Sequence, residues 1–205
     1  MTTSQALRAS PLDETEPESG KHLPGEVGLW VFILGDMGFF ALFFGIIVVT
    51  HGQQTGMFRA SQEELHTGLA VINTLVLLTG SFLVAKALRG LRSGTGRPTL
   101  LVAATLGCAA IFASIKIFEY VELVHGGHTP ATNDFFMYYF VFTGIHLLHL
   151  LIGTSMLIAV LVVSIKAKTK TLTPGRIKFV EAGASFWHMV DLLWLVLFPL
   201  LYVVR

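Results

Sequence analysis

Apolar and polar positions along this chain fall into long blocks, not into a residue-by-residue alternation. Crossing a bilayer takes about 20 mostly apolar residues per helix. The blocks predict five such helices, at roughly 25–50, 66–88, 98–124, 134–165 and 177–203. The runs Leu65 to Ala85, Pro98 to Ile115 and Phe135 to Ile165 contain no Asp, Glu, Lys or Arg. Val27 to Phe58 carries Asp36 alone, and Ala182 to Val204 carries Asp191 alone. Period-two alternation over ten-residue segments, the mark of a membrane barrel, is absent. The expected fold is all-α, an integral membrane bundle of five transmembrane helices over residues 25–205. Residues 1–24 are polar and acidic (Asp13, Glu14, Glu16, Glu18) and are expected to form a disordered cytoplasmic tail, not a signal peptide.

Composition supports the class and removes others. The chain is 53% hydrophobic and 13% charged, against about 25% charged in soluble domains. A formal net charge of +1 argues against nucleic-acid binding. One cysteine, Cys108, excludes an intrachain disulfide and a cysteine metal cluster.

Basic residues concentrate in alternate links. Lys86, Arg89, Arg92 and Arg97 lie around the second link, and Lys166, Lys168, Lys170, Arg176 and Lys178 around the fourth. The opposite links hold Arg59 and Lys116. By the positive-inside rule the N-terminus is cytoplasmic. Trp30 and Trp187 are expected at the cytoplasmic interface belt. Phe39, Phe40, Phe43, Phe44 and Phe142 are expected to give an apolar exterior facing lipid or a partner subunit.

Ionisable groups inside a span are costly unless paired, so each is a candidate site. Counting 1.5 Å per residue places Asp36 and Asp191 roughly 15 Å and His146 about 18 Å from their helix ends. These three residues form a candidate polar layer that would hold the first, fourth and fifth helices in register. His146 and His149 share one helical face, as do His188 and Asp191. Three readings stay open for this set. One is a hydrogen-bonded network in which Asp191 accepts from a histidine. Another is a metal or bis-histidine haem site using His146 and His188. The third is a proton relay. Lys116 and Glu119 read as an ion pair at i, i+3. Asn73 and Thr74 read as interhelical glue, and Gly107, Gly144 and Gly153 as close helix contacts. His125-Gly-Gly-His128 reads as a turn.

Four motifs in order carry a family resemblance. They are Asn73-Thr74 with Leu77-Leu78 and Gly80; Glu119-Tyr120; Thr143-Gly144 with His146, His149 and Gly153; and Trp187-His188-Met189-Val190-Asp191 with Trp194. The chain from about residue 25 resembles the cytochrome c oxidase subunit III family of haem-copper oxidases, in a five-helix form without that family's first two helices. The resemblance implies a non-catalytic subunit with no cofactor of its own, haem and copper being held by the partner subunits I and II. It implies a role in stabilising the catalytic subunit and supporting proton uptake, in contact with membrane lipid, in a bacterial inner membrane. Asp36 stands where the family has a buried Glu, and Lys116 where a Gln is common. Gly25 to Met37 resembles the divergent branch found with nitric oxide reductases, so an accessory subunit of such a reductase is the alternative. A proton-coupled transporter and a haem-carrying quinol-oxidising subunit are the remaining readings.

Overall fold

The computed structural model describes residues 27–167 and 173–204, all of it helix and short connections. The helices are α1 (Val27–Gln53), α2 (Thr55–Glu63), α3 (Thr67–Ser93), α4 (Pro98–His125), α5 (Asp134–Ala167) and α6 (Pro174–Tyr202). All but α2 are long and apolar enough to cross a membrane, in agreement with the expected spans. Helices suit these sequences because each backbone group finds its partner within the segment, where lipid offers none. The tail expected over residues 1–24 lies outside the described residues.

The short α2 corrects the sequence reading, which left its residues in a polar link. Its two faces differ: Phe58, Ser61 and Gln62 are buried, Met57 packs partly buried against the core, and the other side is exposed. Nine residues are shorter than the window of about 11–18 over which a helical period is read from sequence. Gln62 Nε2 donates to the carbonyls of Leu201 and Val204 at 3.3 and 2.8 Å. It thus meets backbone acceptors that the end of α6 leaves unpaired.

The turn between α3 and α4 is made by glycine. Gly94, just past α3, has φ 66°. A Cβ on Gly90 would lie 2.8 Å from the Thr95 carbonyl oxygen. Pro98 and Pro174 open α4 and α6 at positions where a missing N–H costs nothing.

Helix α6 is the centre of the bundle. It packs against α3, α5 and α1, while α4 bridges α3 and α5. In α6, 56% of the most apolar window is buried, against 17% in α1. The buried positions of α1 are Ile33, Phe40 and Ile47, one narrow seven-residue stripe. Those of α3 (Ala70, Asn73, Leu77, Gly80, Val84, Ala87) and α4 (Val102, Thr105, Ala109, Phe112, Lys116, Glu119, Leu123) repeat every three or four residues. The expected Phe exterior is therefore divided. Phe39 faces outward, whereas Phe40 and Phe142 are core.

Trp187 also departs from expectation. It is fully buried deep in α6, because glycines let it approach: Cβ atoms on Gly153 and Gly80 would lie 3.4 and 3.6 Å from its ring. Gly153 is thus a close α5–α6 contact, and Gly144 opens only toward the Tyr120 hydroxyl at 4.0 Å. A Cβ on Gly107 would meet nothing within 4 Å among the described residues, so the close helix contact expected there is not formed by them.

Candidate functional site

The interior holds two sets of polar side chains with different characters. The first gathers at one end of the bundle. Lys116 and Glu119 occupy consecutive core positions of α4 and are fully buried. Lys116 Nζ donates to Glu119 Oε2 at 2.8 Å, to Tyr202 Oη at 2.6 Å and to Tyr139 Oη at 3.3 Å. Tyr202 in turn donates to Glu119 Oε1 at 2.7 Å. The rings of Trp194, Tyr139 and Tyr202 surround the ammonium at 4.8, 5.1 and 5.1 Å. A desolvated cation gains from such ring faces. Both charges are paired and both carboxylate oxygens are satisfied, which a buried ion pair needs to repay its desolvation. The ion pair foreseen from spacing is therefore the hub of three helices. Tyr139 and Tyr202 were missed, although a lysine inside an apolar span must find acceptors. Beside the hub, Tyr120 Oη and Thr143 Oγ1 share a short hydrogen bond between α4 and α5.

The second set lies farther into the bundle. Asp36 Oδ1 is 3.2 Å from His149 Nε2, joining α1 to α5, while His149 Nδ1 donates to the Ile145 carbonyl at 2.9 Å. Phe40 and Phe186 flank that imidazole. His146 is fully buried between the Phe112 and Trp194 rings, and neither ring nitrogen has a partner among the described residues. Asn73 is equally buried, with neither amide atom partnered among the described residues, while its neighbour Thr74 accepts from Trp194 Nε1 at 3.0 Å. Thr74 is thus the glue between α3 and α6.

The expected bond between Asp191 and a histidine is not formed. His188 Nδ1 lies 4.0 Å from Asp191 Oδ2, beyond hydrogen-bond reach, because Ser81 Oγ takes that nitrogen at 2.6 Å. Both Asp191 oxygens are buried without a partner among the described residues. The single register-holding layer therefore resolves into one link, Asp36–His149, with packing of Trp187 and Trp194 keeping α6 in place. His146 and His188 do not face each other: one sits against Phe112 and Trp194, the other against Ser81. Among the described residues, no group of three or more His, Cys, Asp or Glu is placed to hold a metal.

At the link between α4 and α5 the His125-Gly-Gly-His128 segment is a turn, with Gly127 at φ 85°. His128 stacks on Phe136 and lies 3.7 Å from Glu64. Nearby, His66 Nε2 pairs with Glu122 at 3.0 Å across the α3–α4 boundary. That hydrogen bond raises the His66 pKa above its ordinary 6.5.

Five long apolar helices around an ionisable interior define a multi-pass membrane protein. The family is shown by its sequence: the chain belongs to the cytochrome c oxidase subunit III family, whose model matches residues 25–204. It is 29% identical over 209 residues to a probable cytochrome c oxidase subunit 3 of Nocardia farcinica, covering 100% of both chains. It is 28% identical over 178 residues to quinol oxidase subunit 3 of Bacillus spizizenii, covering 86% of this chain and 85% of that one. A heme-copper oxidase subunit I+III of Aeropyrum pernix is 29% identical over 186 residues, 86% of this chain and 22% of that longer protein. Membership makes this chain a non-catalytic subunit of a haem-copper oxidase. The nitric oxide reductase reading draws no support from these relatives, whose names are oxidase names.

Proposed function

We propose that this chain packs beside the catalytic subunit of a haem-copper terminal oxidase in a bacterial cell membrane, stabilising it and supporting its proton supply. The observation that carries the reading is the family match across the whole helical region, residues 25–204. Subunits I and II are the partners, and they carry the haem and copper. The name of the Aeropyrum relative, in which I and III are one protein, supports the pairing with subunit I.

In this reading the N-terminus is cytoplasmic. Arg92 and the other basic residues of the α3–α4 side then face the cytoplasm, and Arg92 is bonded to Glu181 there at 2.7 Å. The proton-related residues are Asp36, His149, His146, His188 and Asp191, while Glu119, at the opposite end of the interior, belongs to the buried polar network of the hub. Buried imidazoles and carboxyls are groups that bind and release protons.

Affinity purification of the tagged chain in mild detergent tests this. Haem-copper oxidase subunits and oxygen consumption should be recovered with it. Recovery of nitric oxide reductase subunits, or of the chain by itself, would overturn the reading.

A further inference from the structure

His188 stands halfway along the 29 residues of α6, and Ser81 near the middle of the 27 residues of α3. Both therefore lie at the depth where a bilayer is most apolar. Yet the His188 side chain is 41% exposed on the outside of the bundle. Its Nδ1 is committed to Ser81 at 2.6 Å, which leaves Nε2 as the ring's other hydrogen-bonding nitrogen. Acyl chains offer nothing to an imidazole nitrogen, so a polar group at this depth calls for protein against it.

The surroundings define a seam. At 100° per residue, Leu192 and Leu195 fall on the same face of α6 as His188, and Leu78 on the same face of α3 as Ser81. All three leucines are exposed. The seam is thus an apolar stripe with one hydrogen-bonding group at its centre. Helix α1 does not cover it. That helix reaches α6 through Phe32 on Phe186, on the side of α6 away from His188. The outer face of α1 itself, with Val31, Leu34, Leu42 and Val49 exposed, carries no polar side chain at those positions and suits lipid.

We propose that the α3–α6 seam centred on Ser81 and His188 is the docking surface for a transmembrane helix of another subunit, which brings a hydrogen-bonding side chain to His188 Nε2 at mid-membrane. The inference rests on the subunit reading above and names the face that reading uses. A second copy of this chain suits it less, since two-fold pairing would set one imidazole against another.

A photo-crosslinking amino acid placed at Leu192 or at Leu42 tests the assignment in the assembled complex, both positions being exposed. Leu192 should capture a different subunit and Leu42 should not. Capture of a second copy of this chain at Leu192, or of the partner at Leu42 instead, overturns the seam. If oxidase subunits co-purify while the crosslinks fall elsewhere, the functional reading stands and the seam falls. If none co-purify, the functional reading fails by itself. A second measurement uses His188→Leu and His188→Gln. Loss of one interfacial hydrogen bond should lower partner recovery about tenfold for Leu, with Gln restoring most of it. His188→Leu also removes the Ser81 bond within the chain, so Ser81→Ala, which removes that bond and keeps Nε2, is the control. Partner recovery should fall further for His188→Leu than for Ser81→Ala, and equal losses would mark His188 as a folding residue and overturn the proposal.

Discussion

The hub around Lys116 and the set around His146 are both buried, polar and ionisable, but one is closed and the other open. In the hub, an ammonium, a carboxylate and two phenols answer one another with bonds of 2.6–3.3 Å, and every carboxylate oxygen has a donor. In the deeper set, His146, Asn73 and Asp191 each hold two polar atoms without a partner among the described residues. Buried polar groups are nearly always bonded, so a closed cluster reads as architecture and an open one as a place that other chemistry uses. The sequence distinguishes them weakly, since each is a few charged residues in an apolar run. The difference is made by Tyr139 and Tyr202, which reach the hub from α5 and α6.

The sharpest way to break this contrast is to unbalance the hub. Lys116→Met would leave Glu119 buried without its cation and should cost about 3–5 kcal/mol. Adding Glu119→Gln should recover most of that loss, because an uncharged pair leaves no bare charge. Unfolding in detergent, followed by helix signal, measures both. If Lys116→Met alone were as stable as wild type, the hub would not be architectural.

Packing around the tryptophans gives the next largest effect. Gly153→Leu would push a side chain into the Trp187 and Phe186 rings and should cost about 1–3 kcal/mol. Gly107→Leu, where nothing among the described residues lies within 4 Å, meets no such clash and should not destabilise, since a helix-interior glycine is itself the weaker helix former by about 0.5–1 kcal/mol. The ratio of the two melting shifts checks the assignment of one glycine to a contact and the other to the surface.

The smallest effect belongs to His66. Its folded pKa is raised by the Glu122 hydrogen bond, so the stabilisation is fully present below its unfolded value of 6.5. It fades as pH rises through the folded pKa. The pair is half exposed and solvent-screened, which limits it to roughly 0.2–1 kcal/mol. Melting temperature against pH for His66→Gln should lose that slope, and an unchanged slope would assign it elsewhere.

Much of the fold was legible in the sequence, because a membrane span has to be a long apolar run and five such runs are plain. The helix α2 was not, since its nine residues are shorter than the window of about 11–18 over which a helical period is read. Trp187 was misplaced for a related reason. A tryptophan was assigned to the interface by residue type, although it stands ten residues, about 15 Å, into the predicted helix. Its burial depends on Gly80 and Gly153 across two other helices. Within the candidate site, the i, i+3 spacing of Lys116 and Glu119 revealed the pair. Their place on the core stripe 102, 105, 109, 112, 116, 119 would have revealed its burial. That Asp36 meets His149, and that Ser81 takes His188 from Asp191, depends on rotation between helices, which no local spacing encodes.

The central claim is that the open set serves the complex while the hub holds the fold, and Asp36 tests it most directly. Asp36→Asn keeps a hydrogen-bonding group opposite His149 but removes the acid. Oxygen consumption by the purified complex is followed over many turnovers, at matched complex concentration, against wild type. Assembly and initial rate should be close to wild type, and activity should then decline faster. Immediate loss of nearly all activity with assembly intact would place Asp36 in the chemistry itself. A decay curve identical to wild type would reduce it to a packing residue, and either result contradicts the account.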